Sequence, residues 1–396
     1  MSASPRPKVL AYYFPDYHAD SRNERWFGPG WDEWEVVRAG LPRFDGHRQP
    51  RVPAGGYTDE ADPAVFADQI ALADRHGVDG FIFDYYWYDD GPYLQRALDE
   101  GYLPAHNPGA VEFSLMWANH DLLDIFPRKD LVTPPERLKS GTIGRDAFER
   151  MARHVIDSYF TDPRYTLIDG RPRFSIYEVG AFVRGMGGVQ EAADALRWFD
   201  AETRKTGLPG VHLDAVVWGF AVLPAEIPLE NPAGLVAELG FRSASSYVWI
   251  HHIDTSLHPF PAGGPWEAVG DEVFAQYEAY QDELGVPFHP NVTVGWDASP
   301  RVAADAAFTR TALPYPPIWD PTPDDFANAL RRARRFCDRA GNPYSEVTIN
   351  AWNEWTEGSY LLPDTDNATA MLKRVAEVFG PRELAQPSDD SASALV

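Results

Sequence analysis

Short runs rich in β-branched and aromatic residues alternate along this chain with longer segments whose apolar positions recur every three or four residues. Eight runs have strand character: KVLAYYF (8–14), GFIFDYYW (80–87), VEFSLMW (111–117), RFSIYEV (173–179), LDAVVWGF (213–220), SASSYVWI (243–250), NVTVGW (291–296) and EVTINAW (346–352). Helical period marks the segments 62–77, 144–160, 189–207 and 322–341. The first of these opens on an acid and a proline and stops at a glycine. The last offers Thr322 as an N-cap, Pro323 at the first position, and Asp324 and Asp325 in the first turn, where their charge suits the helix dipole.

Strand–helix alternation predicts a parallel sheet, and near-continuously apolar strands are those buried on both faces. The expected fold is therefore α/β, a single (β/α)8 TIM barrel, with long βα-loop insertions after the first and third strands. No Gly-x-Gly-x-x-Gly follows the first run, which argues against a dinucleotide-binding sheet. One catalytic barrel is expected over residues 8–380, with flexible ends at 1–7 and 381–396.

Composition narrows the function. A formal charge of -24, from 35 Lys+Arg against 59 Asp+Glu, disfavours nucleic acid and anionic membranes as partners. No run approaches the roughly 18 apolar residues of a membrane span, and the first residues lack the order of a signal peptide, so a cytoplasmic protein is expected. The single cysteine, Cys337, lies in a helical segment and reads as a packed thiol. The 13 Trp, 18 Tyr and 22 Phe gather at strand ends; aromatic clefts carrying acids suit sugars, whose C–H faces stack on rings.

Barrel chemistry sits at the C-terminal ends of strands. There the chain places Tyr12, Tyr13, Asp16 and His18; Asp84, Tyr86 and Trp87; Trp117, Asn119 and His120; Tyr177; Trp218; Tyr247 and His251; Trp296, Asp297 and Arg301; and Asn353 to Glu357. In the last group, NAWNEWTEG (350–358), Glu354 and Glu357 stand three positions apart beside Trp352 and Trp355. Glycoside cleavage needs one carboxyl to protonate the leaving oxygen and another to act as nucleophile or base. Apolar walls raise the pKa of one of them, a task the flanking indoles are expected to fulfil, with Asn353 orienting a hydroxyl or carboxylate. A solvated acidic loop is the competing reading of the same spacing. Adjacent His251 and His252 point apart in an extended segment and make no metal pair, so neither metal nor cofactor is expected.

The ordered set LAYYFPDYH, WFGPGWDEWEVV, FDGHRQPRVP, GVDGFIFDYYWY, LMWAN, GWDASPR and NAWNEWTEG, spanning residues 8 to about 375, resembles the WbsX-like proteins, also called glycoside hydrolase family 99-like. The more distant family 99 holds retaining endo-α-mannosidases on a (β/α)8 barrel with a similar Asn-Glu-Trp-x-Glu-Gly. By motif position the resemblance makes Glu354 a base acting on the substrate's own 2-hydroxyl. It makes Glu357 the general acid/base, with a 1,2-anhydro sugar between the two steps. The third loop departs from the family pattern, reading WANHDLLDIFPRKD where WANEN-W is common, and PDYH stands where PQFH is usual. The implied function is a retaining hydrolase of α-mannoside-like or related deoxysugar linkages, with carbohydrate as partner. Tyr12, Tyr13, His18, Asp84, Tyr86, Trp87, Trp117, Asn119, Tyr177, Trp218, Trp296, Asp297, Arg301, Asn353 and Trp355 are its candidate substrate contacts. Trp87, Trp117 and Trp296 are expected to line the cleft, and Asp297 to pair with Arg301 at its rim. A glycosyltransferase of surface polysaccharide is the alternative, although Asp364-Thr-Asp366 is expected beyond the motif in a surface loop, outside the pocket. A non-catalytic sugar binder would keep the aromatics without needing both glutamates.

Overall fold

A computed structural model describes residues 6–109, 111–125, 127, 133, 135–223, 226–310, 316–340 and 344–382. Its main sheet runs in parallel through Lys8–Tyr13, Gly80–Tyr88, Glu112–Trp117, Arg171–Ile176, His212–Val216, Ser243–Ser245, the split pair Phe288–His289 and Asn291–Thr293, and Glu346–Asn350. Each of the eight predicted runs coincides with a strand. The seventh strand starts ahead of its predicted run, at Phe288, and is divided at Pro290, which has no N–H for the ladder. Phe288–His289 pairs with the sixth strand and Asn291–Thr293 with the eighth, so the nine segments nearly close into a barrel. The first strand closes the other side, pairing with both the second and the eighth.

The predicted helices form as Pro63–Arg75, Arg145–Ser158, Val189–Arg204 and Pro323–Ala340, and Trp266–Glu283 and Ala370–Phe379 add to the outer layer. Asp62 caps the first, accepting from the Ala64 N–H. Thr322 and Asp325 close a reciprocal capping pair at the start of 323–340. Cys337 is buried in that helix, and burial pushes its thiol up to about 12.

Both faces of the strands are buried, and alternate side chains divide between them. In the second strand Phe81, Phe83, Tyr85 and Trp87 face the helices, within the large outer core, while Ile82 joins the barrel interior. Leu10 and Tyr12 likewise point inward, and Val9, Ala11 and Tyr13 outward. Near the N-terminal ends the interior is ionic. Fully buried Arg173 contacts Glu346 at 3.0 Å and Asp214 at 3.2 Å, and Ser175, Ser243 and Ser245 donate to Asp214. This layer sits at the face opposite the strand ends that carry the site, where a barrel's charged groups serve stability.

The chain ends are tied where they are described. Arg6 bonds Asp79 and the Phe379 carbonyl, and Arg382 bonds Asp74 and the Gly109 carbonyl. The rest of the ends expected to be flexible, residues 1–5 and 383–396, lies outside the described residues. Asp364 is also placed differently from expectation. It is buried, accepting from the Tyr360 hydroxyl and from the N–H groups of Asp366 and Asn367.

Candidate active site

The eighth strand ends at Asn350, and the chain then makes a tight hairpin in which Asn353–Glu354 pairs with Ser359–Tyr360. The helical turn Trp355–Glu357 forms its tip. Gly358 closes the turn with φ 65, and a Cβ there would stand 2.7 Å from that of Asp297, so the position accepts only glycine without a shift. Asn353 fixes the hairpin to the first strand: its side chain accepts from the Phe14 N–H at 2.8 Å and donates to the Phe14 carbonyl at 2.7 Å. That pair of bonds commits both ends of its amide to backbone.

The indoles turn away from the acids they flank. Trp352 points into the outer core and donates to Gln69, and Trp355 stacks on Tyr360 with ring centroids 3.8 Å apart. Their expected role as apolar walls is corrected: they brace the hairpin from behind, while Glu354 and Glu357 face the pocket.

One guanidinium gathers the carboxyls. Arg301 reaches Glu357 at 2.5 Å through Nη1 and Glu354 at 3.0 Å through Nη2, with Glu33 at 3.8 Å behind. Arg301 ends the turn Ser299–Arg301, whose first N–H is accepted by Asp297. Asp297 in turn accepts from His47 at 2.8 Å and Gln49 at 2.6 Å. The expected Asp297–Arg301 ion pair is therefore replaced by a relay in which Asp297 fixes the turn and Arg301 holds the glutamates. Burial pushes the Asp297 carboxyl up, but the hydrogen bonds from His47, Ser299 and Gln49 outweigh it and hold it below its ordinary value.

Glu354 and Glu357 are both raised, first by burial. Glu354 is raised well above its ordinary value, because Glu357, Asp84 and Glu33 add repulsion that Arg301 only partly offsets. Glu33 is itself pushed up to about 7, burial dominating over Arg301 and the hydroxyl of Thr356. Several buried carboxyls around one cation cannot all be ionised at neutral pH, so the cluster carries a proton.

Residues 9–375 match the family model described as glycosyltransferase WbsX. The chain belongs to the WbsX family. Two WxcX proteins of Xanthomonas campestris pv. campestris are relatives of this WbsX chain. The one from strain B100 is 28% identical over 372 residues, covering 92% of the chain and 48% of the relative. The one from strain ATCC 33913 is 27% identical over 369 residues, with the same shares covered. The chain thus spans about half the length of the curated relatives it matches. Among solved structures, a glycoside hydrolase-like protein superposes with TM-score 0.62 at 12% identity, covering 96% of this chain and 95% of that one. The GH99 endo-α-mannosidase from Bacteroides thetaiotaomicron superposes with TM-score 0.53 at 13% identity over 93% and 95%. These likenesses show that this chain shares the barrel fold of glycoside hydrolases.

Around the acids, the pocket is lined by Asp84, Tyr86, Tyr177, Trp296 and Arg301 from the candidate substrate contacts, together with Asp16, His120, Tyr247 and His251, which the sequence also placed at strand ends. It encloses about 930 Å³ of space between atoms, part of it open to solvent. Tyr247 donates to Asp84 at 2.9 Å, and Tyr177 donates to Glu226 at 2.6 Å beside His251. Other expected contacts lie elsewhere. Trp87 and Trp117 project from the outer face: Trp117 packs on Phe148 and Phe182, and Trp87 on His154. Tyr13 also faces outward and donates to Glu60, which His18 contacts as well. Asn119 brackets the backbone of Glu178. Tyr12 and Trp218 belong to the interior cluster that also holds the pocket-lining Met116 and Tyr177, with Trp218 packed on Tyr177 and His251, and Trp355 and Asn353 brace the hairpin. Glu33 and Glu226 were absent from the sequence-derived set. Glu33 had a signal, since it lies in the WFGPGWDEWEVV segment that carries the family resemblance; Glu226, alone after the fifth strand, had none.

Proposed function

We propose that this chain is a retaining glycoside hydrolase of α-mannoside-like or related deoxysugar linkages, with Glu354 and Glu357 as its catalytic couple. The observation that carries the reading is the shared Arg301 guanidinium, which holds both carboxyls at one wall of an aromatic pocket at the strand ends. A couple that keeps one proton between two acids is what general acid–base cleavage requires. The family 99 resemblance supplies the route. Glu354 takes the proton of the sugar's 2-hydroxyl, whose oxygen attacks the anomeric carbon. The bond to the leaving oxygen breaks as Glu357 gives that oxygen its proton. In the second step Glu357 takes a proton from water, the water oxygen opens the 1,2-anhydro ring at the anomeric carbon, and Glu354 returns the proton to O2.

Burial, with repulsion from Glu357, Asp84 and Glu33, favours the proton on Glu354 in the empty site, so the base role requires it to rest on Glu357 once sugar is bound. The reverse assignment, Glu354 as acid, is separated by leaving-group dependence. With Glu357→Gln, activated aryl glycosides should keep much of the first-step rate while poor leaving groups lose roughly a hundred- to ten-thousandfold. Glu354→Gln should be uniformly slow. The opposite pattern reverses the roles, and near-normal activity in both variants removes the couple altogether. The family description favours a second reading, transfer to an acceptor hydroxyl in place of water. Turnover of nucleotide sugars, with none of aryl glycosides, would establish that instead.

A further inference from the structure

His120, just past the third strand, lines the pocket with its ring held from two sides. Tyr86 and Tyr177 meet it edge to face, each with ring centroids 5.7 Å away. Tyr177 is fixed in turn by its bond to Glu226 at 2.6 Å, and Tyr86 by the ring of Tyr93. The backbone beneath is equally pinned. The Asp121 carboxyl accepts from the Gly141 N–H at 2.9 Å, and a Cβ at Gly141 would collide with the carbonyls of Asn119 and His120. Only glycine lets the two legs of this loop approach so closely.

This setting decides which imidazole nitrogen carries the hydrogen. Nδ1 lies 3.0 Å from the carbonyl oxygen of Asp121, which can only accept, so Nδ1 is the donor. In the neutral ring Nε2 is then a bare acceptor. Burial holds the ring's pKa below its ordinary value, with Arg301 acting in the same direction, against the pull of the Asp121 carbonyl and Glu226. Nε2 has no partner among the described residues.

Other acceptors of the pocket are carboxyls. Asp84, Glu354 and Glu357 are all raised by burial, and a protonated carboxyl donates as well as accepts. Nε2 has no such choice: it takes a hydrogen from its ligand or stays unpaired. A hydroxyl satisfies it. Hydrogen or fluorine in the same place does not, and covering the bare nitrogen with either leaves its lost hydration uncompensated.

We propose that His120 is a specificity-determining residue, whose Nε2 accepts the hydrogen of one sugar hydroxyl other than the 2-hydroxyl. The proposal rests on the glycosidase reading of this pocket and adds to it a point that demands a donor.

The test is calorimetric binding to the full chain of α-1,3-mannobiose with sulfur as the bridging atom, which resists cleavage. It is compared with its monodeoxy and monodeoxyfluoro forms at positions 3, 4 and 6 of the non-reducing ring. At one position the deoxy and fluoro sugars should both bind about ten- to hundredfold more weakly than the parent, since neither can donate. His120→Phe keeps a ring between Tyr86 and Tyr177 without the nitrogens. In that variant the penalty should vanish at that position, while the other positions keep their pattern. Equal binding of parent, deoxy and fluoro sugars at every position of the wild type overturns the proposal without any variant. A penalty that survives His120→Phe assigns the hydroxyl to another residue and overturns it too. Cleavage of the oxygen-linked disaccharide without such a penalty keeps the hydrolase reading and sinks this one. A His120-dependent penalty without cleavage does the reverse, and failure of the parent to bind removes both.

Discussion

Glu33 is fully buried, shares Arg301 with Glu354 and Glu357, and has its carboxyl pushed from 4.5 to about 7. Replacing it tests whether the site is assembled at the expense of stability. A carboxyl with a folded-state pKa above its unfolded value binds protons more tightly when folded. Its contribution is thus fully present below the unfolded value and is lost as pH rises through the folded one. Between about pH 5.5 and about pH 8, a rise of this size removes roughly 2 kcal/mol of stability through this group alone. Glu33→Gln keeps an oxygen to accept from the Thr356 hydroxyl, which Glu33 now binds at 2.7 Å, and has no charge to desolvate. The stability difference, variant minus wild type, should therefore grow in the variant's favour by roughly 2 kcal/mol between those two pH values. Urea unfolding followed by tryptophan fluorescence at both pH values reads it directly. A difference that does not change with pH, or that moves toward the wild type, would refute the claim that burial outweighs Arg301 at Glu33.

Trp117→Ala should cost roughly 3–5 kcal/mol in chemical unfolding and leave KM unchanged, because the ring fills the core against Phe148 and Phe182; a raised KM with unchanged stability would return it to the cleft. Arg301→Gln removes the cation that lowers both glutamates, so the acid limb of the kcat/KM profile should move up by about one pH unit or more; an unmoved limb would show that the guanidinium does not tune the couple. Asn353→Ala strips the Phe14 N–H and carbonyl of their partners and should cost on the order of 2 kcal/mol in melting experiments, whereas a change confined to substrate affinity would mark it as a sugar contact.

Hydrophobic patterning determined the barrel. Eight apolar runs between amphipathic helices leave few ways to bury every strand on both faces, and each run became a strand. The sequence motif likewise located Glu354 and Glu357, because local order in NAWNEWTEG places both acids just past a strand end. It did not say which neighbours would share their pocket. In a strand buried on both faces, inward and outward positions look alike: Phe81 and Ile82, or Trp117 and Met116, are equally apolar. Yet successive side chains point to opposite sides, so a single position of parity sends Met116 to the pocket and Trp117 to the helices. The same parity turns Tyr13 and Trp87 outward. Only the closed sheet fixes that choice. Contacts across long separations were equally hidden: Glu33 meets Arg301 and Thr356, and His47 meets Asp297, through loops brought together at one end of the barrel. No periodicity along the chain encodes those meetings; they follow from which strand ends the barrel sets side by side.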